Sequence, residues 1–482
     1  MGLSDLPEDV LLYILQYCRL DDVARFSEVC VAFDAMSRRR GFWIAPLERT
    51  RRFNPIACPL HDDLKNFSLE RLRDIAFHTL RLEKNWSLPK PIPIRPLQTT
   101  TFPNEKLHII FRIPGTSLFL MHSPDRGTMT CWDATLGQPI SKPLYVTTCV
   151  LEASLGRDEY GRFSRALLTV DEEVGLHSVT IVSVQYDKHP PEVEITFTWD
   201  CMPMDRFYFG IFLENEVVGV LRGDLSSNHN VEIIAHNTIS DSISTIGTDL
   251  AYWVRSSLLF PDLFNVDTEI EVTFWKGAML FQTENAYQHF LFSCPADLLP
   301  WNTNPRCPSD SYIYWSNVLP RSREVEIGMT VVTVKPEGIL SSDQAYGLLG
   351  VSVLSPQNNT SELPSTLIRF WSPGLDNADK VDVSTIREDL VVVPGKLQQW
   401  SGWLPFKLAQ SGKQLILIVT LDNETFLQLV RYYPETPATS VHRLDVPPVV
   451  DLKHLEGISI DDHLGVITLI NPQGAMHTLA YA

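Results

Sequence analysis

The chain has 482 residues, about three times the usual domain size, and 44% of them are hydrophobic, so a sizeable core and two or three folded units are expected. No run of about 18 uncharged apolar residues occurs, and Met1 to Val10 is acidic where a signal peptide would have a basic start, so neither membrane spans nor secretion are expected. The formal net charge of −18 is uneven: residues 1–90 carry a net of +1 and the remaining 392 a net of −19, a field that repels phosphate backbones and suits basic or neutral protein partners better than nucleic acid.

Residues 5–43 read as a compact helical unit. Asp5 can cap a first helix with Pro7 in its opening turn and Glu8 three residues after the cap. Val10, Leu11, Ile14, Leu15 and Cys18 follow at helical spacing. Asp21-Asp22 mark a second start, after which Val23, Phe26, Val29, Cys30 and Phe33 recur at three- and four-residue steps. A third helix is expected to run to Arg38-Arg39-Arg40 and to stop at Gly41. Three short helices of this size hold little core unaided.

Residues 44–96 form a bridge. Arg49-Thr50-Arg51-Arg52 reads as a solvated loop, with a nuclear import signal as the rival reading. Ser68 can cap a helix with Leu69, Leu72, Ile75, Ala76 and Leu80 on one side, ending near Trp86. Pro89, Pro91, Pro93 and Pro96 then impose an extended backbone, either a stiff spacer or the lead-in to a first strand.

From about residue 100 the pattern turns to β. Short runs of branched and aromatic residues recur: Leu107–Ile113, Ser117–His122, Val179–Gln185, Val193–Trp199, Val231–Ile234, Glu269–Trp275, Thr330–Val334, Leu415–Val419 and Gly465–Ile470. Several runs end on a Trp and a polar residue, at Trp132, Trp199, Trp275, Trp315 and Trp371, a hint of a degenerate repeat set against the plain preference of Trp for strands.

The segment Leu6-Pro7-Glu8-Asp9-Val10-Leu11-Leu12-Tyr13-Ile14-Leu15, then Phe26-Ser27-Glu28-Val29-Cys30, and finally Phe42-Trp43, resembles the F-box motif. That resemblance implies docking to a Skp-type adaptor, and through it to cullin and RING subunits. Leu6, Pro7, Val10, Leu11, Ile14, Leu15, Val23, Phe26, Val29, Cys30 and Trp43 would be shared between the small core and the adaptor groove. More loosely, the remainder resembles the propeller-like regions of fungal F-box proteins. Gly127 to Asp133, with Gly137 after it, looks like part of a WD-repeat blade, and Ile458 to Ile470 like two strands of a final blade. At about 40–45 residues per blade, seven or eight blades fit.

The expected architecture is therefore mainly β with an N-terminal α-helical module: an F-box over 1–45, a helical and proline-rich linker over 46–99, and a β-propeller-like recognition domain over 100–482. The expected role is a non-catalytic substrate receptor of an SCF-type ubiquitin ligase that binds a protein target of unknown identity. A ligase-independent scaffold and a propeller hydrolase are the rivals. Nucleophile elbows, phosphate loops, dinucleotide fingerprints and H-E-x-x-H pairs are absent from the sequence, so no catalytic residue and no cofactor is expected.

Metal signals are weak. Cys58 and His61 form at most half a zinc site, and Asp376 to Asp382 lacks the glycine and glutamate of a calcium loop. Asp461, Asp462 and His463 could form an acid–base group but suit a hairpin turn better. Arg321 and Arg323 are candidates for reading a phosphorylated target. The eight cysteines, without a C-x-x-C pair, read as reduced thiols of a cytoplasmic or nuclear protein, in which the Asn423-Glu424-Thr425 sequon is unused.

Overall fold

The computed structural model of the chain describes residues 6–59, 62–102, 106–171, 176–201, 206–224, 230–251, 270–275, 278–284, 289–295, 299–300, 310–313, 329–334, 350–356, 365–372, 387–398, 405–433 and 438–482. Helices come first: α1 Glu8–Leu15, α2 Leu20–Val29, α3 Val31–Ser37, α4 Arg40–Phe53 and α5 Leu69–Trp86. Their common core takes Leu11 and Leu15 from α1, Val23 from α2, Phe33 from α3, Trp43 and Leu47 from α4, and Leu72, Ile75 and Ala76 from α5. The first three helices thus close their core only with the help of α4 and α5, as their small size requires.

Two expectations for this region fail. The third helix does not end at Gly41: α3 stops at Ser37, and Gly41 lies in the first turn of α4. Burial of Phe42, Trp43, Pro46 and Leu47 along one face of α4 outweighs a helix penalty of about 1 kcal/mol for glycine. Arg49 to Arg52 consequently belong to a helix, and Arg51 and Arg52 fall in its last turn, where cations oppose the helix dipole. The Asp5 cap falls outside the described residues, and Pro7 holds the N-cap position of α1. Ser68 caps α5 as expected, its hydroxyl accepting from the Arg71 N–H at 3.2 Å.

The strands form seven sheets. The first contains His108–Arg112, Leu118–Ser123, Thr128–Asp133 and Gln138–Pro139; the second, Cys149–Ala153, Arg162–Asp171, Leu176–Gln185 and Glu192–Cys201. The third runs from Arg206–Glu214 to Ile243–Ala251, with Asp310–Ile313 added parallel at its edge. Ile270–Trp275 leads the fourth, Met329–Val334 the fifth, and Lys396–Leu397 the sixth, which Phe406–Leu408 also joins. The last sheet takes Gly457–Asp461, Val466–Ile470 and Ala475–Ala480 and is completed by Gln98–Thr101 from the start of the β region, with Gln98 opposite Thr478.

Sequential antiparallel sheets, with the first strand of the region closing the last sheet, define a ring. The architecture is a β-propeller with seven blades among the described residues.

The packing explains why its strands read as unbroken apolar runs. Leu118 and Leu120 pack with Phe163 and Val182 of blade two, while Phe119 and Met121 from the same strand pack with Ile470 and Met476 of blade seven. Blade six behaves alike: Leu415 and Leu417 join Val353 and Phe370 of blade five, and Ile416 and Ile418 join Ile460 and Leu469 of blade seven. Each blade is sandwiched between two neighbours, so both faces of its strands are apolar and the period-two signal vanishes.

The Trp hint does not mark a blade period. Trp132 and Trp371 lie on third strands, Trp199 on a fourth and Trp275 on a first; Trp315 falls outside the described residues. Strand preference accounts for these positions without a shared register.

Helix α5 joins the two halves. Its first turns lie in the helical core, whereas Leu82 and Trp86 are buried with Leu427, Leu455, Ile467 and Tyr481 between blades six and seven. Around this seam, Arg431, its side chain 3% exposed, donates to Glu83 at 2.5 Å and Ser87 at 3.2 Å. Asn85 donates to the Tyr481 carbonyl at 2.7 Å, and the Ile94 N–H to that of Ala480 at 2.8 Å. Of the two readings of the proline-rich stretch, a stiff spacer or a lead-in, the structure therefore has the lead-in, strapped to the last blade. At a second contact, Gly115 has φ +71°, and a Cβ there would stand 2.1 Å from the Cys58 backbone; only glycine fits.

Candidate adaptor-docking surface

α1 has two apolar faces. Leu11 and Leu15 point into the helical core, while Val10, Tyr13 and Ile14, continued by Tyr17 in the turn just after the helix, form an outward strip at steps of three, one and three residues. Val10 is 39% exposed, Tyr13 62%, Ile14 38% and Tyr17 63%. The two tyrosine hydroxyls meet at 3.1 Å with their rings edge to face.

A second exposed apolar patch lies where α2 gives way to α3. Cys30 takes an extended conformation, φ −157° and ψ 165°, which breaks the helix and leaves Val29 and Val31 69% and 86% exposed. The break is held from within by Phe26 and Phe33, whose rings stack at 3.7 Å.

The eleven residues singled out in the sequence divide accordingly. Leu11, Leu15, Val23 and Trp43 are buried in the core; Leu6 and Phe26 are half-buried against it; Pro7, Val10, Ile14, Val29 and Cys30 are exposed. Trp43 is an anchor, fully buried with its indole N–H donating to the Ser37 carbonyl at 2.8 Å. Arg39 pairs with Glu8, fastening the end of α3 to the start of α1. Beyond those eleven, Tyr13 and Tyr17 of the strip and Val31 of the second patch are exposed as well; the two tyrosines continue the spacing of Val10 and Ile14, which is the signal that finds them.

The other sequence candidates do not assemble a catalytic centre among the described residues. Arg321, Arg323, His61 and Asp376 to Asp382 lie outside those residues. Cys58 is buried in the helical core, and its thiol pKa is raised by that burial, against the opposing pull of Arg51. Asp461 serves its turn: one oxygen accepts from the N–H groups of His463 and Leu464, both at 3.0 Å. Burial raises the Asp461 pKa, although His463 and Arg112 pull it down. For His463 burial opposes the charged ring, and the neighbouring carboxylates, Asp462 first, outweigh it and raise the pKa.

Residues 3–44 match the F-box domain family, and F-box domains bind Skp-type adaptors. No curated protein matches the chain. Several solved structures are similar to the chain at low identity. The WD40 domain of SCAP from fission yeast is 9% identical with a TM-score of 0.34, covering 80% of this chain and 98% of that one. Protein lmo1340 from Listeria monocytogenes EGD-e is 9% identical at 0.41, with the same coverages of 80% and 98%. The β-propeller domain of the Trilobed protease from Pyrococcus furiosus is 9% identical at 0.30, covering 67% and 79%. The blade assignment rests on strand order and ring closure rather than on these likenesses. A helical module matching the F-box family, set on a closed ring of seven sheets, identifies the chain as an F-box protein with a C-terminal β-propeller.

Proposed function

We propose that this chain is the substrate-recognition subunit of an SCF-type cullin–RING ubiquitin ligase, without catalytic chemistry of its own. The observation that carries the reading is the apolar strip of Val10, Tyr13, Ile14 and Tyr17, together with the second patch at Val29 and Val31, left uncovered on the module that matches the F-box family. A module that already has a closed core and still shows this much apolar side chain is built to bury it against a partner. The propeller would hold a protein target, and ubiquitin transfer would gain from raised effective concentration. The eight scattered cysteines and the net charge of −18 would suit a cytoplasmic or nuclear setting.

The test is co-purification of the full chain with a Skp-type adaptor. The double variant Ile14→Glu, Val29→Glu changes exposed positions, so the fold should persist. Truncating or charging interface anchors costs about 2 kcal/mol or more, roughly 30-fold in affinity. Undiminished adaptor binding would overturn the docking assignment. A ubiquitination assay on captured partners then separates a ligase receptor from a scaffold: adaptor binding without cullin-dependent ubiquitination would leave only the scaffold role.

A further inference from the structure

The turn between the first two strands of blade seven holds more than a turn requires. Asp461 and Asp462 are fully buried and the His463 side chain is 11% exposed. Each carboxylate has one oxygen engaged by the protein and one left over. Oδ1 of Asp461 takes the two backbone N–H groups of the turn, while its Oδ2 has no hydrogen-bond partner. Oδ2 of Asp462 accepts from the Ser411 hydroxyl of blade six, while its Oδ1 has none. The third unbonded atom is Nδ1 of His463. Buried polar atoms are normally satisfied, because one left without a partner loses its hydration for nothing. Three in one turn call for a common explanation.

Their geometry supplies one. A donor atom from each of the three residues lies within 4.8 Å of the others, a constellation that no other group of described residues forms. Nδ1 of His463 stands 3.3 Å from Oδ1 of Asp462 without hydrogen-bond geometry, and about 3.3 Å is the ligand–ligand edge of a zinc tetrahedron with bonds of about 2.0–2.1 Å. Charge points the same way. The nearby Arg112, bonded to the hydroxyls of Ser459 and Thr468, can offset one of the two carboxylates and leaves the other. Two carboxylates and an imidazole are an N/O donor set suited to a divalent transition metal, and the Ser411 hydroxyl and turn amides are the outer contacts that would orient the ligands.

We propose that Asp461, Asp462 and His463 bind one divalent cation of the zinc class, with water completing the coordination. The site joins blade seven to Ser411 of blade six and lies beside Arg112 of blade one, so the ion clamps the ring where it closes. This inference is independent of the ligase reading and departs from the expectation that the three residues only shape a hairpin.

The test begins with the metal content of the full chain purified without chelator, followed by stripping with EDTA and titration with zinc against a competing dye. About one zinc per chain is expected, with a rise in the thermal midpoint when zinc is restored. Asp462→Asn, which keeps the side-chain shape, should weaken zinc at least tenfold, as should His463→Ala. Ser411→Ala should weaken it by about 10- to 100-fold. Asp451→Asn, in the exposed Asp451–His454 pair, should change nothing. If His463→Ala fails to fold by circular dichroism, the wild-type stoichiometry and Asp462→Asn decide. Wild type without bound zinc or a thermal response would mean a plain His463–Asp462 ion pair and overturn the proposal. Equal zinc affinity in wild type and Asp462→Asn would mean an adventitious ion only and overturn it as well.

Discussion

Substituting Leu82 tests whether the helical module and the propeller share a core. Leu82 is 5% exposed and packs with Trp86 among residues of blades six and seven; a Cβ on Gly465 would stand 2.2 Å from its Cδ1. Leu82→Ala removes three carbons, about 2.4 kcal/mol of transfer free energy at roughly 0.8 per methylene. Gly465, at φ +67°, is poorly placed to move and fill the space, so a cavity term brings the cost to about 3–4 kcal/mol. The informative readout is local. Native-state hydrogen exchange should show amides of Gly457–Asp461, Val466–Ile470 and Ala475–Ala480 opening two to three powers of ten more readily, since 1.4 kcal/mol is about a factor of ten. Leu72→Ala, about three turns away along α5 and in the helical core, should loosen α1 to α4 and spare the last blade. Blade seven unchanged in Leu82→Ala, or equally loosened by both variants, would refute the idea that α5 is split between two cores.

Two further outcomes are expected. Gly115→Ala imposes a side chain at φ +71° and drives its Cβ into the Cys58 backbone. The conformational strain alone is about 1–3 kcal/mol and the clash adds to it, so a lowered urea midpoint is expected; wild-type stability would show that the helical module does not press on the first blade there. Acid should also weaken the protein. His122 is buried and its Nε2–H donates to the Thr147 carbonyl at 2.7 Å; burial holds its pKa below the ordinary value, as it does for His78, His108, His177, His442 and His477. The unfolded histidines titrate near about 6.5. Below that pH the unfolded chain binds protons that the folded chain refuses, so stability falls until the lower folded pKa values are passed. His463 shifts the other way and offsets part of this. Urea midpoints at pH 7.5 and 5.5 check the sign, and His122→Asn should flatten the dependence; a midpoint that rises on acidification contradicts it.

The local signals in the sequence were legible because they act locally. The Ser68 cap, the Leu72-Ile75-Ala76 face and the end of α5 at Trp86 all follow from neighbours within a few residues. What was hidden depends on distance. Gly41 reads as a stop in isolation, but the burial of Phe42, Trp43 and Leu47 carries the helix through it. Blade register was unreadable because strands such as Leu118–Ser123 are buried throughout, so no alternation tells which side chain faces which neighbour. The division of the F-box residues was half legible: Val10 and Leu11 are adjacent apolar positions, and spacing alone does not tell that Leu11 turns inward and Val10 outward. The free oxygens of Asp461 and Asp462 were invisible for the same reason, since a turn motif tells which amides one carboxylate caps and not what the other oxygen faces.

The shared helix also bears on how a receptor of this design would work. α5 has 18 residues, about 27 Å at 1.5 Å per residue, and each end is fixed in a different core. Arg431 fastens the end of α5 to blade six, and Asn85 and the Ile94 N–H fasten the chain that leaves it to the last blade, so the exit has no free linker. A flexible tether would spread a bound target through a volume that grows with its length, and effective concentration would fall accordingly. A helix embedded at both ends instead fixes the propeller's distance and tilt relative to the strip on α1. In such a receptor, target choice would vary through the propeller loops, while the reach toward the transferring enzyme would be set by Leu72, Leu82 and Trp86, all buried inside the chain.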